Sequence, residues 1–133
     1  MSGIDVIGAL LHADQALLAK VPASQMKAGR LPDATQLPAL LVRSVSLVER
    51  QMLQRKGIVR TTERVSVTVR AKSYDDQRAI IKLVRKACAG ALGDIGGVAN
   101  VVVLTAGTGP DVNGPADTFE QAEDFKVSFD EPV

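Results

Sequence analysis

The sequence predicts one α+β domain, a mainly antiparallel sheet with two helices packed on one face, in the order α-β-β-β-α-β-β. Three observations carry this expectation. Residues 64–72 alternate strictly, with Val65, Val67, Val69 and Ala71 on one side and Arg64, Ser66, Thr68, Arg70 and Lys72 on the other. That is the period of a strand with one buried and one wet face. The strand then feeds directly into an amphipathic helix, where Ile80, Ile81, Val84, Ala87 and Cys88 recur at helical spacing. Further strand-like runs at 39–47, 98–105 and 119–129 follow one another closely, and such runs with two helices argue for helices on one face of the sheet. A chain of 133 residues is one domain by length. It can bury roughly two thirds of its unfolded surface.

Taken in order, residues 2–19 read as a first helix. Ile4, Ile7, Leu10, Leu11, Leu17 and Leu18 form its apolar stripe, and Asp5, His12 and Gln15 lie away from it. Ser2 is the expected N-cap. Val21-Pro22 ends the helix, because the residue before a proline is pushed out of helical geometry. Residues 25–30 form a short strand, 31–38 an irregular loop and 39–47 a clear strand. Residues 48–57 read as the long tip of a hairpin. Met52 and Leu53, flanked by Arg50, Arg55 and Lys56, look like a binding tip; the alternative is that the flanking strands extend further and these residues pack locally.

Ser73 is placed to cap the second helix, with Asp75 and Asp76 where the helix dipole favours negative charge. Asp76 takes the third position of a capping box, as a shorter stand-in for Glu. Lys82, Arg85 and Lys86 crowd the helix end, and Gly90 suits a left-handed stop. Residues 91–97 read as a glycine-rich connection. In the strand at 98–105, Val101, Val102, Val103 and Leu104 suggest burial on both faces. Residues 106–116, rich in Gly and Pro, read as an extended loop. In the last strand Phe125, Val127 and Phe129 point inward, and Asp124, Lys126, Ser128 and Asp130 outward.

The core is aliphatic, since the chain has three Phe, one Tyr and no Trp. A single cysteine excludes an internal disulfide and fits a reducing compartment. The start of the chain carries no signal-peptide pattern. No apolar run approaches the roughly 20 residues that cross a bilayer, so no membrane role is expected. The formal net charge is only +1, but the charges are segregated. Residues 1–42 balance to zero, residues 43–86 sum to +8 and residues 87–133 to −7. Basic and acidic strands that neighbour each other in one sheet would explain this. So would a subunit that docks head to tail onto copies of itself. The sequence leaves both open.

Chemical sites are scarce. His12 is the only histidine, and with one cysteine a transition-metal centre is not expected. Cys88, in the helical stripe, reads as a buried structural thiol rather than a nucleophile. Gly107-Thr108-Gly109-Pro110 follows a strand like a phosphate loop, but no helix begins after it and Pro110 removes a donor. Glu120, Glu123 and Asp124 could bind a cation, but a solvated strand face accounts for them better. No pair of groups suits general acid–base work, so neither catalysis nor a cofactor is expected.

Element order now supports a resemblance. The segments DVIGALLHADQALLAKV, LPDATQLPALLV, RTTERVSVTVRAKSYDDQRAIIKLVRKACAGAL and DTFEQAEDFKVSFDEP resemble, over essentially the whole chain, the tail terminator (tail completion) proteins of long-tailed bacteriophages and phage-like gene transfer agents. The tip at 48–57 departs from the family pattern in being longer and more basic. The resemblance implies a virion protein assembled in the bacterial cytoplasm as a homo-hexameric ring. That ring would cap the head-proximal end of the tail tube, end its polymerisation and meet the head connector or stopper protein, with DNA only in passage. It places partner contacts at Arg50, Met52, Leu53, Arg55 and Lys56, and a second surface at the loop holding Gly107, Gly109, Asp111 and Asn113. The alternatives are a related neck, head-closure or minor tail protein, and a small nucleic-acid-binding module built on residues 43–86. The second lacks aromatics for base stacking and a recognition motif.

Overall fold

The computed structural model describes residues 2–50 and 57–132. The chain begins with α1 (Ser2–Ala13) and α2 (Gln15–Lys20), followed by a 3-10 turn at Ala23–Gln25. Three strands follow: β1 (Met26–Ala28), β2 (Ala39–Arg50) and β3 (Ile58–Ala71). Then come α3 (Tyr74–Cys88), β4 (Leu92–Ile95), β5 (Val98–Thr108), β6 (Val112–Asn113) and β7 (Phe119–Pro132). The described residues form one seven-stranded sheet in the order β1-β2-β3-β7-β5-β4, with β6 added to β7. All pairings are antiparallel except β1 with β2. The expected α+β class stands, with the helices packed against one face.

β3 is the spine, paired along its whole length with β7 on one side and with β2 on the other. Its alternation places Val65, Val67, Val69 and Ala71 in the core at zero exposure. They meet Ile80, Ile81, Val84 and Cys88 from α3, Val6, Ile7 and Leu11 from α1, and Phe125, Val127 and Phe129 from β7. Each such side chain contributes on the order of 1.5–3 kcal/mol by leaving water, so this layer dominates the fold. The Ser73 hydroxyl accepts from the Asp76 amide at 3.1 Å, the expected cap of α3. Gly90 adopts φ +78° just beyond the helix, the left-handed stop its position required.

Several expectations are corrected. The first helix is two helices, because the Asp14 carboxylate turns in and accepts the Leu17 amide at 3.0 Å, capping a new start. Ser2 lies inside α1 rather than before it, and the amide of Gly3 is met instead by Glu63 Oε1 at 3.0 Å. Glu63 and Thr61 thus face inward from the lower half of β3, continuing the parity of Val65, Val67 and Val69 with polar side chains. The glycine-rich connection contains β4, and the loop at 106–116 contains the end of β5 and the bridge β6. β5 is buried on one face only: Val101 and Val103 are in the core, whereas Leu104 is 57% exposed.

The segregated charges are neighbours in the sheet. Arg60 meets Asp130 at 3.1 Å, Arg64 meets Asp124 at 2.8 Å and Arg70 meets Glu120 at 2.5 Å, all from β3 to β7. Cross-strand pairs of this kind contribute roughly 0.2–1 kcal/mol each. Their effect is to fix register and to cancel charge on the helix-free face. Asn100 and Arg60 both hydrogen-bond the Asp130 carboxylate, which holds its pKa below the usual value. Glu120, Glu123 and Asp124 are therefore neither a shared cation site nor a plain solvated face: each carries an arginine partner, and Glu123 is buried.

Candidate interaction surface

Two of the expected contact regions are separated by the fold. Arg50 ends β2, is exposed, and lies opposite Arg60 in the ladder. Met52, Leu53, Arg55 and Lys56 lie outside the described residues. Gly107 lies opposite Asp124 on β7, whereas Arg60 lies opposite Asp130 on that strand. Six residues of strand separate these two levels, roughly 20 Å, so Arg50 and Gly107 do not share a site.

The 107–113 segment is held down rather than extended. The Tyr74 hydroxyl donates to Asp111 at 2.7 Å. Gln77 Nε2 donates to Gln121 Oε1 at 2.5 Å, and Gln121 Nε2 donates to the Gly109 carbonyl at 2.9 Å. The Gly109 amide donates to the Ala122 carbonyl at 2.8 Å, and Asn113 pairs with Phe119. Arg85 reaches both Glu123, at 2.6 Å, and the Thr108 hydroxyl, at 2.9 Å. Three side chains on one face of α3 thus clasp this segment against β7. Tyr74 is raised above its usual pKa, first by the hydrogen bond to Asp111 and then by that carboxylate's charge.

Exposure elsewhere points to the sheet edge. β1 accompanies β2 only from Leu40 to Val42. Beyond that, residues 43–50 are all exposed, with Val45 at 57%, Leu47 at 43% and Val48 at 66%. Among the described residues no strand covers this apolar edge, and such an edge is a template for pairing. Both Val45 and Leu47 fall in the strand expected at 39–47, but their exposure was not evident from the sequence. An open groove of about 580 Å³ runs over the helix-free face beside this edge, lined by Val48, Arg50, Arg60, Thr62, Val102 and Ser128. A second, of about 350 Å³, lies between α1 and β1 and takes in Asp5 and His12.

Reactive groups do not converge. Cys88 is buried, and desolvation pushes its thiol up to about 12. Among the described residues no group of three or more His, Cys, Asp or Glu side chains could hold a metal ion. No helix among them is long and apolar enough to cross a membrane.

No family model matches the chain, and no curated protein matches it. Its fold is similar to that of a chain in a solved structure of the virion of a native gene transfer agent particle. The TM-score is 0.69, with 14% identity over 96% of this chain and 94% of that one. A second solved chain matches with a TM-score of 0.51 and 17% identity, covering 96% of both. At these identities the likeness is one of fold.

Proposed function

We propose that this protein is a structural, non-enzymatic virion component of a phage or gene transfer agent, acting as a tail terminator. In this reading its copies form a ring on the head-proximal end of the tail tube. One ring face meets the last tube ring; the other admits no further tube subunit and meets the head connector, with DNA passing through the bore. The observation that carries the reading is end-to-end likeness of fold to a chain of a gene transfer agent virion. The sequence resemblance, argued independently, points the same way. The exposed edge of β2 supplies the kind of surface a ring needs. The cross-strand pairing of β3 with β7 cancels much of the basic charge that a nucleic-acid-binding module would use.

Negative-stain imaging paired with light-scattering mass tests the reading, on the protein alone and mixed with tail-tube subunits. Closed rings, or rings found at one end of tubes, are the expected result. A monomer that never forms rings and ignores the tube would overturn it.

A further inference from the structure

We propose that copies of this chain join head to tail by adding the open edge of β2 to the outer edge of β4 in the next copy. The inference rests on the ring reading above and specifies which edges meet. The sheet has two ends. At one, residues 43–50 of β2 run beyond the reach of β1; at the other, β4 is the last strand among the described residues.

The registers place these edges at one height. Val48 lies opposite Thr62, Thr62 opposite Ser128, Ser128 opposite Val102, and Val102 opposite Leu92. Partners in a ladder point to the same face. One row of side chains therefore crosses the whole sheet, and its two ends are the exposed apolar residues Val48 (66%) and Leu92 (72%). The next row runs Ser46, Arg64, Lys126 and Leu104, and ends on another exposed leucine. Adding the neighbour's β4 to β2 with Leu92 beside Val48 would continue this row from one subunit into the next.

Strand direction agrees. β2, β7 and β4 run one way, β3 and β5 the other. A sheet continued from β2 of one copy to β4 of the next would therefore join them as a parallel pair. The charges agree too: Arg43, Glu49 and Arg50 leave the β2 edge net positive, and Asp94 lies on the other. Self-pairing of β2 across a two-fold axis is disfavoured. Centred on residues 43–50, it would set Arg43 opposite Arg50 twice, and like charges directly opposite destabilise a sheet.

Cross-linking tests this directly. The double variant Val48→Cys/Leu92→Cys is treated with a short bis-maleimide; the native Cys88 is fully buried and does not compete. A ladder of covalent oligomers ending in one closed species is expected from the double variant, with no product from either single variant. Covalent dimers from Val48→Cys alone would assign a two-fold contact and overturn the proposal. Oligomers seen by light scattering without cross-linking would overturn the edge assignment while leaving the ring reading standing. A monomer at every concentration, alone and with tube subunits, would overturn both. As a second variant, Val48→Asp should lose the higher-mass species while keeping the circular dichroism of the native fold; unchanged association would count against the proposal.

Discussion

Arg85 Nε sits 2.6 Å from Glu123 Oε1, and that carboxylate, on the sheet beneath α3, is only 1% exposed. The pair ties the helix to β7 and, through the Thr108 hydroxyl, to the end of β5. Removing the arginine leaves a buried carboxylate short of its cation. Arg85→Ala should cost about 1–3 kcal/mol. Lys82→Ala, at an exposed site on the same helix, should stay within about 0.5 kcal/mol. Urea denaturation of the two variants checks the difference.

Two glycines of α1 should respond in opposite directions. A Cβ on Gly3 would lie 2.7 Å from Glu63 Oε1 and 2.8 Å from its Cδ, and Glu63 is enclosed in the core. Gly3→Ala should destabilise by roughly 1–3 kcal/mol, the usual range for overpacking. A Cβ on Gly8 meets nothing within 4 Å. Gly8→Ala should instead stabilise by about 0.5–1 kcal/mol, because glycine is a poor helix former. Thermal melts of the two variants should shift to opposite sides of the parent.

Cys88 should be silent in the folded protein. Its thiol is buried and raised to about 12 by desolvation. The fraction present as thiolate at pH 8 is small and out of reach. A chromogenic disulfide reagent should report no fast thiol in the native state and one thiol per chain after unfolding. Because the folded pKa lies above the ordinary thiol value of 9.0, this group contributes stability that is full below pH 9. That contribution is lost as the pH rises toward 12.

Tyr74 offers a second test against pH. Its hydroxyl donates to Asp111, and the bond and the carboxylate's charge together raise its pKa above 10.0. The neutral ring is therefore favoured by folding, so the contribution is present below pH 10 and fades as the pH climbs through the folded value. The chain has one tyrosine and no tryptophan, so a near-UV absorbance titration reads this residue alone. Asp111→Asn should lower its midpoint.

What could be read in the sequence was periodic or capped. The alternation of Val65, Val67 and Val69, the Ser73 cap and the parity of Phe125, Val127 and Phe129 each express a local rule that tertiary contacts then reinforced. The misses lie where long-range pairing overrode local signals. β4 carries Gly93 between two turns and gains its strand geometry from β5. Thr61 and Glu63 share the inward parity of Val65, but their polarity hid that the buried face continues under α1. The split at Asp14 depended on a side chain choosing to cap a helix rather than continue one. At the edge of β2, the strand through Val45 and Leu47 was legible as a strand, but not its exposure. That β1 stops at residue 28 and leaves them uncovered was a matter of topology.

The brevity of β1 has a further consequence. Its three residues cap the edge of β2 at Leu40–Val42 and nowhere above. An incoming strand therefore finds β2 already paired at residues 40–42 and, among the described residues, open only above them. In the proposed ring β4 begins beside Val48, well above that bridge, so β1 blocks pairing lower on β2 and leaves the height of the contact to the level of Val48 and Leu92. Zero slip closes an assembly into a circle, and any steady slip winds it into a spiral without end. The match of those two levels would then decide whether assembly stops after one turn.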